Sequence, residues 1–160
     1  LVVVPGHARR LRTAATLAAM ATVFTKIIEG ELPGRFVWRD DRCVAFLSIN
    51  PIQHGHTLVV PIEEVDHWLD LDPELNAHLV RVAHKVGHAQ QAAFSPARVG
   101  LMIAGLEVPH VHLHVIPMVR GMDDLDFANA QAEPDPASLD EARQAILDQL
   151  RAAGHDPGVD

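Results

Sequence analysis

Short apolar runs broken by turn residues fill residues 36–61. In FVWRDDRCVAFLSI, residues 36–49, two apolar stretches meet at Asp40-Asp41. That pattern predicts two strands joined by a polar turn from Arg39 to Arg42. NPIQHG, residues 50–55, carries Pro51 and Gly55 and reads as a loop. HTLVVP then predicts a third strand, with His56, Leu58 and Val60 on one face and Thr57 and Val59 on the other. After Asp72-Pro73, a helix-capping aspartate and a first-turn proline, the spacing of Leu75, Leu79, Val82, Val86 and Ala89 predicts a long helix over 73–93. RVGLMIAG and PHVHLHVIP predict a fourth and a fifth strand. Ser138 and Glu141 suggest a capping box ahead of an amphipathic helix ending at Gly154. Short strand–turn–strand links favour antiparallel pairing, so the expected class is α+β.

The chain has 160 residues, the size of one compact domain, and 48% of them are hydrophobic. No run approaches the roughly 18–20 apolar residues that cross a bilayer. The single cysteine, Cys43, allows no internal disulfide, and a cytoplasmic setting is expected. Acidic and basic side chains balance over residues 1–120, so the net charge of −8 sits beyond them. Such a tail disfavours polyanions and reads as a solvated surface. No basic stripe suggests a nucleic-acid polymer as partner, and no membrane association is expected. Residues 1–19 carry Arg9, Arg10 and Arg12 before an Ala/Leu/Thr run, a weak signal-peptide pattern better explained as an N-terminal extension. The divisions expected are that extension, a domain over 20–119, and an acidic linker with a helix over 120–160.

One stretch carries chemistry. VPHVHLHVIP, residues 108–117, places His110, His112 and His114 at alternate positions. In a strand these rings share one face, roughly 6–7 Å apart, while Val111, Leu113 and Val115 face the core. Three imidazoles in a dry core are costly without partners, so this face is a site or open to water. Three readings fit the residues. The face is exposed and merely histidine-rich. It is a metal site completed by His56, His54 or Glu107. Or one imidazole is a nucleophile toward phosphorus, oriented by a neighbour.

HVHLHVI fits the His-φ-His-φ-His-φ-φ signature of the histidine triad superfamily, φ being apolar. KIIEGELPGRFVWRDDRCVAFLSINPIQHGHTLVVP, residues 26–61, also resembles the first half of its nucleotide-binding members, and the likeness spans about residues 22–118. The resemblance implies a five-stranded antiparallel sheet, a homodimer, and a purine nucleotide or nucleotide conjugate as ligand. It implies a hydrolase or transferase that cleaves at the α-phosphate of a nucleoside phosphoramidate or dinucleoside polyphosphate, with no cofactor. By position His112 matches the nucleophile that forms a nucleotidyl-histidine. His110 and His114 match the flanking histidines, and His56 the histidine brought from an earlier strand. Val23, Phe24, Ile27, Phe46 and Ile49 match the apolar pocket for base and ribose.

Four departures mark a divergent branch. Thr22 and Thr25 stand where some members carry a zinc-binding Cys-x-x-Cys, so that zinc site is expected to be absent. Ser48 replaces the ribose-binding aspartate. Glu107 replaces the Ser/Thr that contacts phosphate, and an ionised carboxylate there would repel it. The loop MIAGLEVPH is short, with Ala104 or Gly105 near the place of an asparagine. These changes leave open a nucleotide-binding regulatory module with little turnover.

Overall fold

The computed structural model describes residues 21–160, so the expected N-terminal extension lies outside the described residues. The chain runs α1 (Val23–Ile28), β1 (Phe36–Arg39), β2 (Cys43–Leu47), β3 (Thr57–Pro61), α2 (Pro73–Phe94), β4 (Arg98–Met102), β5 (Leu113–Met118) and α3 (Pro136–Ala152). All five strands form one antiparallel sheet in the order β1-β2-β3-β5-β4. The class is α+β, as the strand–turn–strand pattern predicts. No helix among the described residues is long and apolar enough to cross a membrane.

Period-two alternation gives the sheet two different faces. Cys43, Ala45 and Leu47 of β2, Val59 of β3, and Val111, Leu113 and Val115 pack against Leu79, Val82 and Val86 of α2 and Ile146, Leu147 and Leu150 of α3. The opposite face carries a smaller cluster, in which Val44, Phe46, Leu58 and Val60 meet Phe24 and Ile27 of α1. Phe46 stands edge-on to both Phe24 and Phe36, at 5.7 Å between centroids in each case. The histidines therefore lie on the thinly covered side of the sheet, and the aliphatic residues between them anchor the thick core.

Asp72 caps α2 as expected, accepting from the backbone N–H groups of Glu74 and Leu75. The expected capping box at Ser138 and Glu141 does not form. Asp135 caps α3 and Pro136 opens it, which leaves Ser138 inside the first turn. Asp-Pro is the stronger start, since the aspartate satisfies a free N–H and the proline has none to satisfy.

The acidic C-terminal region is less solvated than its composition suggests. Asp124 is fully buried. Its carboxylate accepts from the backbone N–H of Val119 and Arg120, from Arg120 Nε and from Gln53 Nε2, all within 2.6–2.8 Å. This ties the segment after β5 to the loop between β2 and β3. At the chain's end the Arg39 N–H donates to the Pro157 carbonyl at 2.8 Å, Arg151 donates to the Val159 carbonyl, and Val159 packs on the main core. Gly158 sits at φ +65° with its α-carbon against the Arg39 carbonyl, where a Cβ would collide with backbone. The last residues thus cover the outer edge of β1.

Replacing Asp124 with alanine strips four donors of one buried acceptor. Asp124→Ala is expected to lower unfolding free energy by about 3 kcal/mol, measured by urea denaturation at neutral pH. A loss under about 1 kcal/mol would mean that water replaces the carboxylate.

Candidate active site

Four histidines gather on the thin face. His114 lies in β5, opposite Leu58 of β3. His110 and His112 precede that strand rather than lying within it. Strand pairing stops there because β3 ends at Pro61, which has no N–H to donate. The Pro61 carbonyl accepts instead from His110 Nε2 at 2.9 Å, and the Val111 N–H turns to the Val65 carbonyl. Alternation still holds across the junction: Val111, Leu113 and Val115 enter the core while the rings face the other way. All four imidazoles are buried.

Their hydrogen bonds determine which nitrogens carry protons. His112 Nδ1 lies 2.8 Å from the His110 carbonyl, which can only accept. Nδ1 therefore holds the proton of the neutral ring, and Nε2 carries a bare lone pair. The Ile52 N–H donates to His56 Nδ1 at 3.2 Å, so the His56 proton sits on Nε2. His56 Nε2 donates in turn to His114 Nδ1 at 2.9 Å. That leaves the His114 proton on Nε2, a buried atom with no partner among the described residues. The His112 and His114 rings stand 4.8 Å apart, so a lone pair and an N–H donor are presented side by side.

Both rings line a cavity of about 90 Å³ with Ala104, Gly105, Leu106, Glu107 and Phe127. Phe127 lies edge-on to His114 at 5.0 Å. Phe24 lies edge-on to His112 at 5.0 Å. Burial pushes the His112 pKa below its ordinary 6.5, against a smaller upward pull from the His110 carbonyl and from the Glu107 charge. Burial, then the neighbouring His56 and His112, lowers His114 to about 3. Burial and His112 lower His56 to about 4. At neutral pH these rings are uncharged, as a nucleophilic lone pair requires.

His110 is placed differently. Its Nε2–H is committed to Pro61, and its Nδ1 accepts from the Thr22 hydroxyl at 2.9 Å. Thr25 Oγ1 donates to Glu64 Oε2 at 2.5 Å, and the Thr22 N–H donates to the same oxygen. His110 thus has no free nitrogen for a ligand, and it acts on His112 through its carbonyl. Two hydroxyls, a carboxylate and an imidazole bonded at both nitrogens do not make a zinc donor set.

The other expected residues divide. Phe24, Ile27 and Phe46 form the apolar cluster beside His112, and Glu107 stands exposed at the cavity mouth. Val23 is exposed on α1. The Ser48 N–H donates to the His56 carbonyl, and its hydroxyl accepts from the Asn50 N–H. Ile49 is exposed and lines a different groove, with Pro33, Arg35 and Leu139. His54 points away, to Ser138 and Phe94. Among the described residues only Asp40, Cys43 and His78 bring three metal-type ligand atoms together, and the triad does not. Phe127, Thr22 and Glu64 were not foreseen as site neighbours. Phe127 is the only aromatic residue in the polar stretch 120–137, the one signal that could have marked it.

The HIT domain pattern matches residues 29–121. An uncharacterized HIT-like protein from Borreliella burgdorferi is 41% identical over 105 residues, covering 61% of this chain and 76% of that one. An adenylylsulfatase from Arabidopsis thaliana is 31% identical over 134 residues, covering 81% of this chain and 67% of its own. A zinc-bound histidine triad family protein from Mycobacterium smegmatis superposes with a TM-score of 0.72 at 26% identity, covering 85% of this chain and 97% of that one.

The buried rings make stability sensitive to acid. An unfolded imidazole takes up a proton near pH 6.5, whereas folded His56 and His114 resist until about 4 and about 3. Stability is therefore full above pH 6.5 and falls steadily as pH drops toward 4. Asp124, whose burial is outweighed by its four donors, has a folded pKa of about 2. Its contribution is present above its ordinary 3.8 and is lost only as pH falls toward 2. The urea midpoint is expected to be lower at pH 5 than at pH 7.5, with His114→Asn showing a shallower dependence. Equal slopes for variant and parent would refute the assignment.

Proposed function

The chain belongs to the histidine triad family, and on that footing we propose that it is a hydrolase or transferase of nucleotide conjugates, cleaving at the α-phosphate through a nucleotidyl-histidine. The supporting observation is the bare Nε2 of His112 beside the partnerless Nε2–H of His114 in one cavity. His112 Nε2 attacks phosphorus, and the bond to the leaving group breaks, its electron pair departing with that group, which takes up a proton from solvent. His114 donates to a phosphoryl oxygen as charge develops there. The Nδ1–H bond to the His110 carbonyl strengthens as the His112 ring becomes cationic. Water then attacks the same phosphorus, giving up a proton to solvent, releasing the nucleoside monophosphate and returning the electron pair to Nε2.

The cavity is smaller than the roughly 300–1,000 Å³ that encloses a drug-sized ligand. It suits the phosphoryl group, with base and ribose lying outside it toward Phe24, Ile27 and Phe46. Phosphoramidates and dinucleoside polyphosphates both carry a leaving group on the α-phosphate, as does adenylyl sulfate, the mixed anhydride to which the Arabidopsis relative's name refers. A second reading, a binding module with little turnover, is supported by Glu107 at the cavity mouth, whose carboxylate opposes an anionic substrate. A cytoplasmic setting fits the single buried thiol of Cys43.

The reading includes a homodimer joined through β4. The tail covers the edge of β1, whereas among the described residues β4 pairs only with β5. Beside that open edge an apolar groove of about 330 Å³ runs between α2 and β4, and Val80 and Leu101 are exposed along it. A second copy meeting β4 edge to edge pairs its free N–H and C=O groups and covers those side chains.

With adenosine phosphoramidate as substrate, AMP release is expected, with an adduct on His112 that survives an alkaline quench and is lost in acid. His112→Asn is expected to lower kcat by at least about 10³-fold while nucleotide still binds. Binding of AMP without adduct or turnover in the parent protein would favour the module. Light scattering is expected to give the mass of two chains, and Leu101→Arg the mass of one. A parent protein of single-chain mass would remove the dimer without touching the chemistry.

A further inference from the structure

On the far side of the sheet from the triad, α2 carries a second pair of histidines. His84 and His88 are four residues apart, so one helical turn stacks them on the same face. Their rings are exposed, with centroids 4.4 Å apart and planes at 82°. Nε2 of one lies 3.2 Å from Nε2 of the other. That is the only side-chain hydrogen bond either ring makes among the described residues, and neither is paired with a carboxylate.

We propose that His84 and His88 form a chelating site for a divalent transition-metal ion. Two nitrogens held 2.0–2.1 Å from a tetrahedral ion lie about 3.3–3.4 Å apart. The Nε2 separation already has that bite, so an ion replaces the proton the two rings share without moving the helix. The displaced proton shifts to Nδ1 of the ring that donated it, so each ring then carries its proton on Nδ1, which meets no acceptor among the described residues. Imidazole pairs of this spacing suit zinc, nickel or copper rather than magnesium or calcium, which prefer oxygen.

The pair is open to an incoming ion. Of the two basic side chains on α2, Lys85 is drawn away over the Trp38 ring at 4.5 Å, and Arg81 stands one turn before His84. The rings border the groove whose other walls include Val80, Ala83, Gly87, Val99 and Leu101, none of which is charged. The pair also straddles the middle of α2, which spans Pro73–Phe94. In a single chain, water fills the remaining coordination positions. The site itself needs only one chain and does not rest on the proposed catalysis.

Calorimetric titration of the full chain with zinc chloride tests the site. The parent is expected to bind zinc with a component that is absent from the H84A/H88A double variant. His84→Ala and His88→Ala singly are each expected to weaken that component at least tenfold, because one imidazole cannot chelate. Both side chains are exposed, so circular dichroism of the variants is expected to match the parent. Half an ion per chain in that component places the ion between copies, and one ion per chain places it on one helix. Zinc bound by the double variant with the parent's affinity and stoichiometry would overturn the site and assign the metal to other histidines.

Discussion

A single proton governs the geometry of the candidate site. It sits on His112 Nδ1 because the His110 carbonyl, 2.8 Å away, can only accept. Everything the site can do follows from the lone pair this leaves on Nε2. The same logic runs through the neighbouring rings. A backbone N–H fixes His56, His56 fixes His114, and His114 is left offering an N–H where His112 offers a lone pair. If one of the two rings alone took the opposite tautomer, the pair would present two donors or two lone pairs. They would not form a nucleophile beside its charge-stabilising partner.

The rest of the fold keeps that relay in register. Ile52, which sets the first tautomer, lies in the loop between β2 and β3. That loop is held through Gln53 by the buried carboxylate of Asp124, and Arg120 donates to the Ile52 carbonyl. At the other end, Thr22 and Pro61 grip both nitrogens of His110, and Glu64 holds Thr22 and Thr25. Beneath the rings, Val111, Leu113 and Val115 are locked into the thick core, so the histidine backbone has little freedom to turn. The cost of burying four imidazoles is offset by these bonds, and it reappears as sensitivity to acid.

Much of this was legible in the sequence because it depends on alternation and capping, which are local. Five strands, the long helix starting at Pro73 and the shared face of the three histidines all follow from residue spacing. What was not legible depends on partners far along the chain. His110 and His112 fall outside the strand because Pro61 ends the pairing, a fact that belongs to β3. Ser138 and Glu141 have the composition of a cap, yet Asp135-Pro136 three residues earlier provides a better one. Asp124 and Phe127 lie in a segment whose charge suggests solvent, and only the folded chain shows one buried as a clamp and the other against His114. Ile49 aligns with a pocket residue, but its side chain opens onto a groove beside α3.

The two borders of the sheet are unequal. One is closed by the chain's own last residues, pinned where Gly158 presses against Arg39. The other is bare among the described residues. A molecule with two bare borders can add copies at both and grow into a fibre, whereas one with a single bare border exhausts its capacity at the first encounter. Joined through β4 as proposed, two copies would leave no bare border for a third, because residues 157–159 cover β1.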